Sequence, residues 1–248
     1  MNPAMPSPRA ARNTPRGRLS DAITEHFTQR IATRVLRPGD ELPSESELAV
    51  QFKVSKPVVR EALGSLAALG VVEIRQGRPT TVRPLSSAPL DHFFGVAIRW
   101  SDNGLREALE LRRALETETA ALAAMRASSP FVDHLGEIVE KMREHLFDLD
   151  QWVEADCAFH MALVRSTENS LMQFLTEALS DVMHQSIRML GSQMDLRDPH
   201  ATLARHEAIY AAVRKHDPVA ARAAMQTHFD ATQTAVLAIA RDAKRRNV

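Results

Sequence analysis

The run from Leu42 to Arg60, LPSESELAVQFKVSKPVVR, constrains the fold of this chain more than any other stretch. Ser44 is a favourable N-cap residue, and Glu47 three positions later completes a capping box, so a helix is expected to start here. Leu48, Ala49 and Phe52 then recur at helical spacing. Lys53-Val54 reads as a tight turn, Ser55 as the cap of a second helix, and Pro57 falls in its first turn, where a missing N–H costs little. In that second helix Val59, Ala62, Leu63 and Leu66 make one apolar stripe. Lys56 and Arg60, four apart, project together from another face. Two short helices, a tight turn and paired cations near the start of the second describe a helix-turn-helix whose second helix suits a DNA groove.

The flanks extend the pattern. Leu19 to Leu36 predicts a helix with Ile23, Phe27, Ile31 and Val35 on one stripe, ended by Arg37-Pro-Gly-Asp40. After Gly70, Val71-Val-Glu-Ile74 and Thr80-Thr-Val82 flank Gln76-Gly-Arg-Pro79, which reads as a hairpin with a basic tip. Residues 18–84 are therefore expected to form a winged helix-turn-helix, preceded by a disordered Pro- and Arg-rich arm over 1–17. Although the whole chain has no net charge, residues 1–84 hold 13 Lys and Arg against 8 Asp and Glu. That modest basic bias fits a polyanionic partner such as double-stranded operator DNA.

Residues 85–102 read as a linker with one short helix. From 103 to 243 the chain is Ala- and Leu-rich and without strand alternation. Breaks at Ser128-Ser-Pro130, Asn169-Ser170, Asp198-Pro199 and Asp217-Pro218 divide it into helices near 103–127, 131–147, 149–166, 170–191, 199–215 and 217–243. Short connections imply antiparallel neighbours. The fold class expected is mainly α: an N-terminal winged helix-turn-helix followed by an all-α antiparallel helical bundle. The single cysteine, Cys157, excludes an internal disulfide and reads as a small buried hydrophobe. No apolar run is long enough to span a bilayer and no signal-peptide pattern is present, so a cytoplasmic protein is expected.

The run RPGDELPSESELAVQFKVSKPVVREALGSLAALGVVEIRQGRPTTV resembles the DNA-binding domain of the GntR family of bacterial transcription regulators. The resemblance implies DNA contacts from Ser46, Ser55, Lys56 and Arg60, and a wing tip of Gln76, Gly77 and Arg78 that reaches the minor groove. Lys56 stands where the family usually has arginine, and a lysine lacks the rigid fork that grips guanine. Pro79 stands where glycine is commoner.

In the helical half, Asp156 and His160 are four apart and share a helix face. His206 and His228, on two later helices, could converge on the same point. One carboxylate and three imidazoles suit Zn, Ni, Fe or Mn as divalent ions. By spacing alone, however, a histidine is more often a surface or hydrogen-bonded residue than a ligand. The segments LELRRALETETAALAA (109–124), DCAFHMALVRSTEN (156–169), HEAIYAAV (206–213) and THFD (227–230) resemble the FCD effector-binding domain of the FadR subfamily. That resemblance implies a metal bound by Asp156, His160, His206 and His228, and an effector pocket to which Arg112 contributes. Asn169 and Arg188 are weaker candidates for effector contacts, the alternatives being a helix cap and a surface charge. Arg112 itself has an alternative, an ion pair with Glu116.

Taken together, the expected function is a ligand-responsive transcription regulator, a repressor acting as a homodimer on operator DNA. Its helical domain would bind a small carboxylate effector through a divalent transition metal. The competing reading is a metal-dependent hydrolase with an appended DNA-binding domain. Against it, the chain has no His-Glu-x-x-His, no Gly-rich phosphate loop and no nucleophile–base pair.

Overall fold

In a computed structural model, residues 15–191 and 198–231 are described, and they fall into two compact units that divide at Pro89/Leu90. In the first unit α1 (Pro15–Ala32), α2 (Glu45–Gln51) and α3 (Lys56–Ala68) precede a hairpin of β1 (Val72–Glu73) and β2 (Thr81–Val82). The strands are antiparallel, with Val72 opposite Val82 and Glu73 opposite Thr81. Glu41 bridges to Thr81 on the other side of β2.

Local chemistry accounts for most of these boundaries. The Ser44 hydroxyl accepts from the Glu47 amide, and the Glu47 carboxylate accepts from the Ser44 amide, so the capping box forms. Ser55 occupies the N-cap position of α3 but makes no side-chain capping bond, contrary to the expectation from its residue type. Lys53 turns the chain between the two helices with a φ of +54°, in the left-handed region. The predicted α3 stripe is buried throughout: Val59, Ala62, Leu63 and Leu66 pack with Ile23 and Phe27 of α1 and with Leu48 of α2. Burying each large aliphatic side chain favours folding by about 1.5–3 kcal/mol. The α1 stripe stops short of the prediction, because the helix ends at Ala32 and leaves Val35 exposed in the following turn.

The second unit is wholly helical among its described residues. It comprises α4 (Ala88–Trp100, which starts at the division between the units), α5 (Gly104–Arg126), α6 (Ser129–Glu144), α7 (Leu149–Ser166), α8 (Ser170–Ala178), α9 (Ser180–Gly191), α10 (Pro199–Arg214) and a helix over 218–231, here α11. The stretch read as a linker is thus largely helix, and the helix expected over 170–191 breaks at Leu179. The expected continuation of the last helix to 243 and most of the 1–17 arm lie outside the described residues.

α7 is the central helix, packed against α5, α6, α8 and α9. It presents Trp152, Phe159 and Leu163 to a core completed by Leu135 and Met142 of α6, Ile209 and Val213 of α10, and Met225 and Phe229 of α11. α5 faces that core with Ala120, Ala123 and Ala124, small residues that admit close helix packing. Gly104, at the start of α5, is forced by a close approach: a Cβ there would lie 1.9 Å from the Ile98 carbonyl oxygen.

Candidate functional site

Two regions hold the residues singled out by the sequence. In the first unit Ser46, Ser55, Lys56, Arg60, Gln76, Gly77 and Arg78 are all exposed. Arg60, on α3, donates from Nε to Glu45 Oε2 of α2 at 2.8 Å. A guanidinium tethered at Nε keeps its outer donors for a base edge or phosphate. Glu45 therefore shares an exposed face with Arg60, although nothing in the local sequence pattern marks it. At the wing tip Gly77 takes a φ of +73°, a conformation that a side chain would strain, and Arg75 pairs with Glu73 at 3.0 Å.

In the second unit α7 sets Asp156 and His160 one turn apart on its inner face. α10 brings His206 and α11 brings His228 to the same place. The four residues are between 0% and 4% exposed. One ligating atom from each of His160, His206 and His228 lies within 4.8 Å of the other two. Asp156 spans two of them, with Oδ1 3.1 Å from His206 Nε2 and Oδ2 3.6 Å from His160 Nε2. Phe159, Phe229 and Trp152 wall the group, their rings set edgewise to the imidazoles at 5.0 Å (Phe159 to His206), 5.4 Å (Phe229 to His228) and 6.0 Å (Trp152 to His206).

Close polar neighbours fix how two of the rings face. His206 Nδ1 lies 2.9 Å from the Thr202 carbonyl oxygen, which can only accept, so this nitrogen carries the proton. The Nε2 lone pair then points at Asp156, where it has no hydrogen-bond partner. His160 Nδ1 abuts Glu116 Oε2, so its Nε2 also faces Asp156. Two imidazole lone pairs directed at one carboxylate repel it unless something positive sits between them. A divalent cation meets that requirement, and the nitrogen and oxygen donors suit a transition metal. The residues present therefore fit a metal ion.

The groups also shift one another's ionisation. Burial works to raise the Asp156 carboxyl, but His206 and then His160 beside it bring its pKa below the usual value. Burial opposes ionisation of Glu116 as well. The Arg112 and His160 charges outweigh it and lower that carboxyl to about 2. Burial alone would lower His160, but Glu116 and Asp156 raise it above the ordinary imidazole value. His228 is well below that value, first through burial and then through its neighbours His206 and His160. As ligands of a metal the imidazoles are neutral, and the two carboxylates and one guanidinium around them then leave one negative charge to set against the cation.

Arg112 belongs to this cluster. It is buried, its Nε donates to Glu116 Oε1 at 2.8 Å, and its Cζ lies 5.3 Å from the centre of the Phe229 ring. The ion pair with Glu116 is thus present, and it is buried. Asn169 and Arg188 are not brought to the group. Asn169 caps α8 by accepting from the Leu171 and Met172 amides, and Arg188 pairs with Asp150 at 2.8 Å on an exposed face. Cys157 is buried, and its thiol is pushed up to about 12, chiefly by burial.

A winged helix-turn-helix followed by a helical domain with a closed polar centre defines a class of DNA-binding regulators that answer to a small molecule. Comparison with known proteins gives the family. Residues 19–82 match the bacterial regulatory proteins of the gntR family, and residues 107–231 match the FCD domain. The chain is 31% identical to the HTH-type transcriptional regulator LutR of Bacillus subtilis, covering 78% of this chain and 90% of that protein. It is 29% identical to the HTH-type transcriptional repressor NanR of Citrobacter rodentium, covering 96% and 94%. Among solved structures it superposes on a Streptococcus agalactiae GntR protein with a TM-score of 0.67 at 26% identity, covering 87% of this chain and 99% of that one. The chain belongs to the GntR family, in the FadR-like group that has an FCD domain. It is a ligand-responsive, DNA-binding transcription regulator; the families it matches are regulators and not enzymes. No helix among the described residues is long and apolar enough to cross a membrane.

Proposed function

We propose that this protein is a homodimeric repressor released from its operator by a small carboxylate bound at a metal inside the helical unit. The observation that supports this most is the pair of imidazole lone pairs, on His160 and His206, aimed at the Asp156 carboxylate with the His228 ring alongside. Asp156, His160, His206 and His228 would hold a divalent Zn, Ni, Fe or Mn ion. When bound, the ion supplies a Lewis-acidic position for an oxygen of the effector. The Arg112 guanidinium, within the same buried cluster, adds a charge-assisted contact to the carboxylate.

Charge argues for the effector class. A divalent ion turns the cluster's one negative charge into one positive, which a monoanionic acid would neutralise. On the DNA side, Lys56 and Arg60 of α3, with Ser46 and Ser55 beside them, would meet the major groove, while Gln76, Gly77 and Arg78 would enter the minor groove. A two-fold dimer reads two half-sites at a set spacing, and an effector that binds its two states unequally shifts operator affinity. The similarity to the transcriptional repressor NanR favours repression as the sense of control.

The test has two stages. Protein purified without chelators is analysed for metal, then screened by thermal shift against mono- and dicarboxylates before and after metal removal. An acid that raises the melting temperature only in the metal-loaded protein, and that releases operator DNA in an anisotropy titration, is the expected result. Metal-free protein with no carboxylate response would overturn the reading of the helical unit.

A further inference from the structure

One buried side chain in this region has two partners that the proposed function puts to different uses. Glu116, on α5, is 3% exposed at its side chain. Its Oε1 accepts from Arg112 Nε, and its Oε2 abuts His160 Nδ1. Asp156 is the only other buried carboxylate among the described residues, and it faces the opposite edge of the His160 ring. His160 is thus held between two acids, one at each nitrogen.

We propose that Glu116 is a positioning residue for both halves of the site, orienting His160 toward the metal and Arg112 toward the effector. The inference rests on the metal and effector reading given above. A neutral imidazole has one N–H and one lone pair. A carboxylate beside Nδ1 retains the N–H there, so the lone pair is at Nε2, the atom directed at Asp156. With Glu116 in place, His160 reaches its ligating tautomer without having to choose. A carboxylate in this role strengthens the ligand and fixes its ring, and losing such a partner typically weakens metal binding about 10–100-fold. The same carboxylate neutralises Arg112, so that a fixed cation can sit beside a divalent ion. It occupies the Nε edge and leaves the remaining guanidinium donors for a carboxylate ligand.

Glu116→Gln preserves the shape but puts an amide NH2 within reach of His160 Nδ1. A donor facing that nitrogen favours the other tautomer, with the proton on Nε2 and the ligating lone pair lost. The control is Glu118→Gln on the same helix, where Glu118 is 53% exposed and pairs with Arg222 at 2.5 Å, away from the cluster.

The experiment is competition for Ni²⁺ and for Zn²⁺ against a chromophoric chelator, using the full chain and its two variants. A dissociation constant raised about 10–100-fold in Glu116→Gln, with Glu118→Gln equal to wild type, is the expected result. Unchanged metal affinity in a folded Glu116→Gln protein would overturn the proposal while leaving the metal site standing. Wild type that takes up neither ion overturns the metal reading and this inference together. Should Glu116→Gln fail to fold, long-range ¹H–¹⁵N spectra of the histidine rings in wild type decide the matter. The proposal requires His160 to keep its proton on Nδ1 and to shift at Nε2 when Zn²⁺ is added. Ligation through Nδ1 would overturn it.

Discussion

His206 donates its Nδ1–H to the carbonyl oxygen of Thr202, one helical turn earlier on α10, at 2.9 Å. A backbone carbonyl is a partner that no side-chain substitution can remove. The direction of the His206 lone pair is therefore set by the helix itself.

Loss of either Asp156 or His206 should empty the site of metal. Asp156→Ala removes the carboxylate on which the His160 and His206 lone pairs converge, and His206→Ala removes one of those lone pairs. Elemental analysis after dialysis should give near-stoichiometric metal for wild type and a small residual fraction for either variant. A variant that retains full occupancy would exclude that residue as a ligand.

On the DNA face, Arg60→Ala should weaken specific operator binding by about 1–3 kcal/mol if the guanidinium reads a base. Lys56→Ala, if its ammonium meets phosphate, should lower affinity for all sequences alike and reduce the salt slope by about 1. Anisotropy titrations on operator and scrambled duplexes at several salt concentrations separate the two effects. An Arg60→Ala protein with wild-type operator affinity would remove that residue from the reading face.

The capping box gives the winged helix a defined acid response. Glu47 lies below its ordinary carboxyl value because Ser44 donates to it. A folded-state value below the unfolded one, about 4.3, means that the unfolded chain binds more protons in between. The box therefore contributes fully above the unfolded value and loses its contribution as pH falls through the folded one. Glu47→Gln should flatten this acid limb in unfolding curves of the full chain. Ser44→Ala should cost about 0.5–2 kcal/mol at neutral pH.

Two glycines should respond to alanine with opposite signs. At Gly104 the new Cβ would meet backbone atoms of Ile98, its oxygen at 1.9 Å and its carbon at 2.7 Å, so the chain itself must move. Destabilisation of about 1–3 kcal/mol or more is expected. Gly64 sits within α3 with nothing within 4 Å of the added atom, and there alanine should stabilise by about 0.5–1 kcal/mol. Thermal unfolding of the two variants side by side checks the contrast.

The sequence was most legible where structure is local. Ser44 and Glu47 mark the start of α2 by their spacing, and the stripe Val59, Ala62, Leu63, Leu66 marks the buried face of α3; both appear as read. Asp156 and His160 were also recognisable as neighbours, being one turn apart. The meeting of His160, His206 and His228 was not, because it depends on how α7, α10 and α11 pack; only family resemblance pointed to it. Burial was the weakest inference. Val35 continues an apolar period yet lies 59% exposed, because its helix has already ended. The Arg112–Glu116 spacing allows an ion pair, but no local pattern discloses that the pair is enclosed beside an imidazole. At Ser55 the residue type promised a cap, but the side chain does not bond to the helix.

The indole of Trp152 stands edgewise to the His206 ring, while Trp100, the only other tryptophan, is 89% exposed. The chain thus contains its own optical probe. Trp100→Phe leaves a single tryptophan, excitable at the red edge where Tyr210 does not absorb, edgewise to the imidazole that a metal would engage. Paramagnetic Ni²⁺ or Mn²⁺ at the cluster should quench that emission, while Zn²⁺ leaves it bright, and an effector arriving at the ion should alter it again. Occupancy and response could then be followed in real time by ultraviolet excitation alone, with no label attached.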